Sequence, residues 1–154
     1  MDTYMKTTTL TDEITINAPK NKIWRVIEDA SLLPQWHPFV RSVTGKHEVG
    51  QVRVCELDMG GQRATAEERC NTKSEQGKII WTLEKDSMGT AQMFAMEYGF
   101  EIEDQGNGQT LVRSITSFTP QNEEAAGMAE QTEAQFHKIH QAVLDGLKRY
   151  VESK

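Results

Sequence analysis

An arginine, a glutamate and a tyrosine are the residues of this chain best placed for chemistry on a bound molecule. A tight turn at Gly60-Gly61 sets Leu57 opposite Ala64, Cys55 opposite Ala66 and Arg53 opposite Glu68, all on one side of a hairpin. Leu57, Cys55, Ala64 and Ala66 make that side the more apolar one, so it faces inward and Arg53 and Glu68 become an interior charge pair. Such a pair either anchors a ligand carboxylate, hydroxyl or carbonyl, because apolar pockets need a few fixed polar groups, or is a structural ion pair. A slip of one residue would turn both side chains to solvent. A second turn, at Gln76-Gly77, sets Trp81 opposite Thr72 and Leu83 opposite Cys70, which brings Trp81 to the same wall. Tyr98 lies in the alternation Phe94, Met96, Tyr98, Phe100, Ile102; its phenol either donates to a ligand or is satisfied inside a core. His137 and His140 are three apart, with His140 turning inward beside Phe136 either as a polar group facing the interior or as a core-edge histidine. A histidine pair without a third ligand is no metal site, so no metal is expected.

Familiar catalytic strings are missing. There is no GxSxG, HExxH or Walker loop, and Gly106-x-Gly108 lacks the further glycine and helix of a dinucleotide fingerprint, so no cofactor is expected. The two cysteines, Cys55 and Cys70, have neither CxxC nor Cys/His spacing and read as small buried apolar residues. The hairpin register keeps them apart, which forbids a disulfide between them.

The elements that must position these residues follow from the hydrophobic pattern. Residues 10–17 partly alternate and suggest a first strand; after Ala18-Pro19, Ile23, Trp24 and Ile27 recur at helical spacing up to Asp29. Ser31 is a candidate cap for a further turn stopped by Pro34, and Gln35-Trp36-His37-Pro38 reads as an irregular link. From Phe39 to Phe118, glycine-bearing turns recur at Gly50, Gly60-Gly61, Gln76-Gly77, Met88-Gly89 and Gly106-Asn107-Gly108, the pattern of an antiparallel meander. Asn122 then caps a helix with Glu123 and Glu124 in its first turn and Lys148 and Arg149 in its last, as the helix dipole favours. Roughly 30 residues at about 1.5 Å each span about 45 Å, enough to cross a sheet. Phe136, Ile139, Val143, Leu147 and Tyr150 form its apolar stripe, while Gly127 and Gly146 mark a bend or a close approach.

The chain has 154 residues, which suits a single domain of residues 1–154 with a loosely ordered tail at residues 1–9. A net charge of −6, with the basic residues scattered, disfavours nucleic acid as a partner. The longest apolar runs, such as Ile79-Ile80-Trp81, are too short to span a bilayer, so no stable membrane insertion is expected. The polar, Thr-rich start has no signal-like apolar stretch, which makes the cytoplasm the default location.

The order strand, two short helices, meander, long C-terminal helix resembles the START and polyketide cyclase-like helix-grip superfamily. The resemblance is carried by Ile14-x-Ile16-x-Ala18-Pro19 with Ile23-Trp24, by Leu33-Pro34-x-Trp36-x-Pro38-x-Val40, and by Gly50-x-x-Arg53 and Glu68-Arg69. Thr110-x-Val112 and Phe118-x-Pro120 complete it. It implies an α+β fold in which a curved antiparallel sheet of about seven strands wraps the last helix around a cavity for apolar ligands. Ser114 departs from the aromatic residue that many relatives carry in the last strand. The resemblance places Trp36, His37 and Phe39 near the cavity mouth, where Trp36 is either a gate or a core plug. The cavity wall then draws on Leu57, Trp81, Met96, Tyr98, Phe100 and Phe136, with Arg53, Glu68 and His140 as polar members. Expected is a binder of a small hydrophobic molecule; the alternative is a cyclase or dehydratase using Glu68 and Tyr98 for proton transfer.

Overall fold

The computed structural model describes residues 6–154. Its strands are β1 (Thr8–Ile16), β2 (Val40–Thr44), β3 (Val52–Met59), β4 (Gln62–Ser74), β5 (Lys78–Asp86), β6 (Phe94–Gly106) and β7 (Gln109–Pro120). They form one antiparallel sheet in the order β1-β7-β6-β5-β4-β3-β2. Helices α1 (Lys20–Glu28) and α2 (Leu33–Trp36) separate β1 from β2, and α3 (Thr90–Met93) precedes β6. Helices α4 (Glu123–Gly127) and α5 (Ala129–Glu152) follow the sheet. This is the α+β helix-grip architecture. Of the expected tail, residues 1–5 lie outside the described residues, whereas Thr8 and Thr9 are ordered in β1 opposite Phe118 and Ser117.

Gly60 and Gly61 both take positive φ, 70° and 97°, as a two-residue turn matched to strand twist requires. The β3–β4 register is therefore the expected one: Leu57 faces Ala64, Cys55 faces Ala66 and Arg53 faces Glu68. The β4–β5 register differs. Ser74 pairs with Lys78, so the connection has three residues, and further irregularities fall between Cys70 and Thr72 and between Glu67 and Glu68. Trp81 consequently faces Cys70 rather than Thr72, and Leu83 faces Glu68 rather than Cys70. A shift of two positions leaves each side chain on the same face, so Trp81 still points inward.

Three expectations for the helices also change. Pro34 does not stop a turn but lies in the first turn of α2, where its missing N–H costs nothing. The preceding 3₁₀ turn, Ala30–Leu32, is capped by Asp29 rather than Ser31, with Asp29 Oδ1 accepting from the Ser31 amide at 3.0 Å. The C-terminal helix is not continuous. Asn122 caps α4 by accepting from the Ala125 amide, and the chain breaks at Met128, beside Gly127, before α5 begins. Gly146 marks the close approach, since a Cβ there would sit 2.5 Å from the Trp36 carbonyl oxygen. The fully buried line of α5 is His140, Val143, Leu144, Leu147 and Val151, with Phe136, Ile139 and Tyr150 on its flanks. Among the described residues no helix is long and apolar enough to cross a membrane.

The apolar interior has two parts. The larger joins Ile16, Ile23, Trp24, Ile27, Trp36, Trp81 and the C-terminal half of α5. The smaller gathers Leu10, Phe94, Met96, Phe118 and Ala125, with Phe118 edge-on to both Phe94 and Phe136. Between them the packing opens.

Candidate functional site

The opening is a cavity of about 210 Å³ between the concave face of the sheet and α5. Its lining includes ten residues singled out from the sequence, Trp36, Arg53, Leu57, Glu68, Trp81, Met96, Tyr98, Phe100, Phe136 and His140, whereas His137 lies outside it. Met88, which also lines it, is 44% exposed and marks the end that meets solvent, at the β5–β6 connection. Trp36 is 4% exposed and packs edge-on against Phe100 at 6.0 Å, a fixed wall position.

Arg53 and Glu68 are 6% and 7% exposed, and their positions as direct partners on β3 and β4 hold them together. The Arg53 Nε–H donates to Glu68 Oε1 at 2.7 Å. Glu68 Oε2 accepts from the Tyr98 hydroxyl, and the Cys55 thiol lies 3.6 Å from Oε1. Burial, the largest single influence, would lower the Arg53 pKa, but the Glu68 charge and hydrogen bond together with Cys55 and Tyr98 outweigh it, and the guanidinium is held more firmly protonated than usual. Burial, followed by the Glu68 charge, pushes the Tyr98 phenol well above its ordinary range. Burial also raises the Cys55 thiol to about 12, so neither group is a ready acid near neutrality. Both thiols are free.

His47 completes this cluster, and nothing in the sequence pattern pointed to it: it sits in the loop between β2 and β3, outside any alternation. Its Nε2 accepts from Arg53 Nη1 at 2.8 Å, so its Nδ1 carries the proton donated to the Ile27 carbonyl at 3.1 Å. Burial and then the Arg53 charge bring its pKa down to about 3, consistent with this neutral ring. Burial and Arg53 also lower His37, on the same wall. The guanidinium carbon lies 3.8 Å from the centre of the Trp81 ring, which His47 meets edge-on. Of the five N–H groups of Arg53, His47 and Glu68 take one each; Nη2 has no acceptor among the described residues.

His140 lies at a separate point on the wall. Its Nδ1 is 2.8 Å from Asp12 Oδ2, and its Nε2 is 2.7 Å from the Thr116 hydroxyl. The same Asp12 oxygen is 2.7 Å from His137 Nδ1, so the helical pair converges on one carboxylate. Asp12 was legible in principle: it occupies an inward slot of Leu10-x-Asp12-x-Ile14-x-Ile16, where a charged residue needs a partner. Thr116 and Ser114 likewise fall on the inward face of β7. Among the described residues no three His, Cys, Asp or Glu side chains are grouped to hold a metal ion.

Comparison with known proteins agrees with this fold. The chain belongs to the polyketide cyclase/dehydrase and lipid transport family, whose model matches residues 7–152. Among solved structures it resembles the major latex-like protein 151 of Panax ginseng, with a TM-score of 0.78 at 13% identity over 94% of this chain and 97% of that one. It also resembles the Zhui aromatase/cyclase of Streptomyces sp. R1128, with a TM-score of 0.77 at 18% identity over 96% and 94% of the two chains. The norcoclaurine synthase of Thalictrum flavum, solved with dopamine and hydroxybenzaldehyde, gives 0.74 at 14% identity over 96% and 88%. At such identities the likeness establishes the fold. No curated protein matches the chain.

Proposed function

We propose that the chain is one ligand-binding domain that holds a small, largely apolar molecule in its internal cavity, with Arg53 as the polar anchor. The observation that carries this reading is an apolar wall enclosing one fixed guanidinium that keeps unpaired donors. Glu68, His47 and Trp81 hold Arg53 in place from three sides, so a ligand carbonyl or carboxylate meets a preorganised donor. Ligand pockets usually run from about 300 Å³ upward, and a cavity of about 210 Å³ favours a compact ligand.

The cyclase or dehydratase reading would use Glu68 and Tyr98 as acid and base. Their arrangement speaks against it. The Tyr98 proton is committed to Glu68 and the phenol is a weak acid here, while Glu68 already accepts from Arg53 and Tyr98. Native mass spectrometry of gently purified protein, with solvent extraction of what it retains, tests the proposal. A recurring apolar adduct is expected; a chemically altered substrate after incubation would favour the enzyme. Arg53→Met should weaken a compact carboxylate-bearing fluorescent probe about tenfold or more relative to a plain hydrocarbon of the same size, the scale of one charge-assisted hydrogen bond.

A further inference from the structure

We infer that Thr116, oriented by His140 with Asp12 behind it, forms a second polar subsite in the cavity, one that only accepts hydrogen bonds and so selects ligands bearing a hydroxyl or N–H donor. The inference rests on the cavity-binding reading and adds to it a second recognition point. It follows from the bookkeeping of protons along the chain of contacts. The Asp12 carboxylate oxygen lies 2.8 Å from His140 Nδ1, which must therefore carry a proton. In the neutral imidazole Nε2 then holds only a lone pair, and the Thr116 hydroxyl, 2.7 Å away, must donate to it. The hydroxyl has a single hydrogen, so what Thr116 offers the cavity is lone pairs. Burial, only partly offset by Asp12, lowers the His140 pKa and favours this neutral state. His140 and Thr116 are 4% and 3% exposed, so water competes poorly at this point.

The two subsites have opposite polarity. Arg53 presents donors only, whereas Thr116 presents an acceptor. Thr116 and Tyr98 are direct partners across β7 and β6, and the Tyr98 hydroxyl reaches Glu68 in the Arg53 cluster. The subsites therefore share a wall, separated by about one tyrosine side chain. A ligand satisfying both is a compact apolar body with an acceptor at one edge and a donor at another. An acid–imidazole–hydroxyl order can also activate a hydroxyl for acyl transfer, but that chemistry needs donors for an oxyanion. Tyr98, the cross-strand neighbour, spends its proton on Glu68, so Thr116 is assigned to binding.

The test compares 2-naphthol, 2-methoxynaphthalene and naphthalene, each titrated by displacement of a bound apolar fluorophore. Wild-type protein should prefer 2-naphthol over 2-methoxynaphthalene by about tenfold, the scale of one neutral hydrogen bond in a dry site. Thr116→Val keeps the shape and removes the acceptor; it should abolish that preference and leave naphthalene affinity unchanged. Thr116→Ser keeps the hydroxyl and should keep the preference, while Thr116→Ala, which lacks it, should lose the preference and decides the matter if the valine variant does not fold. Binding of all three probes without a donor preference, or a Thr116→Val loss shared equally by naphthalene, overturns the subsite and leaves the cavity reading standing. If none of the three probes binds, both readings fall.

Discussion

The two polar clusters of the cavity solve the same problem by different means. On the β3–β4 side a full charge pair is buried, and every neighbour is recruited to hold it: Tyr98 and Cys55 on the glutamate, His47 and Trp81 on the arginine. On the β1–β7 side the chain from Asp12 to Thr116 runs through a neutral imidazole, and its carboxylate lies nearer the surface. Removing one member of a buried ion pair strands a charge, whereas cutting a neutral hydrogen bond strands a dipole. The first cluster should therefore be structurally indispensable and the second adjustable.

The largest expected effect tests that contrast directly. Arg53→Met or Glu68→Gln should each cost about 3–5 kcal/mol in denaturant unfolding, and the double variant should cost clearly less than their sum. Additive losses of a few tenths would place the pair in water. Next, Phe100→Ala should cost about 3 kcal/mol, the low end for a phenylalanine core deletion because Phe100 borders the cavity. A loss below about 0.5 kcal/mol would mean that this face of β6 is not buried.

Acid separates the clusters from ordinary surface groups. His47 and His140 both have folded-state values lowered from 6.5, so below that pH the unfolded chain binds protons that the folded chain refuses. Their contribution to stability is complete above pH 6.5 and is lost as pH falls, for His47 toward its value of about 3, at up to about 1.4 kcal/mol per unit for each ring. Unfolding at pH 7 and pH 5 should differ by at least about 2 kcal/mol, the share of His47 alone, with His37 and His140 adding in the same direction; a flat profile would mean solvated rings. The smallest effect is Thr116→Val, which leaves His140 Nε2 without its donor and should cost only about 1 kcal/mol. A loss as large as that of Arg53→Met would erase the distinction between the clusters.

The site was legible where strands alternate. Tyr98, Met96 and Phe100 follow from period two on β6, and Arg53 opposite Glu68 follows from one glycine turn. The same logic failed at β4–β5, because a three-residue turn and two irregularities leave no composition signal that counting can use. It still placed Trp81 inward, since the error was an even number of residues. His47 escaped because a loop residue has no period, and Asp12 because its partners lie on a helix more than a hundred residues away.

What the amino-acid sequence determined by itself is therefore the order of elements, the inward face of each strand and the pairing across the Gly60-Gly61 turn. Those depend on local sterics and on a period of two or 3.6, which neighbouring residues carry. Only the tertiary structure decided that α5 breaks from α4 at Met128, that Gly146 lets Trp36 close the wall, and that His47 and Asp12 complete the two clusters. Those contacts join segments whose separation in space depends on how far the sheet curves around the helix, a sum of twists and bulges that no single stretch of sequence records.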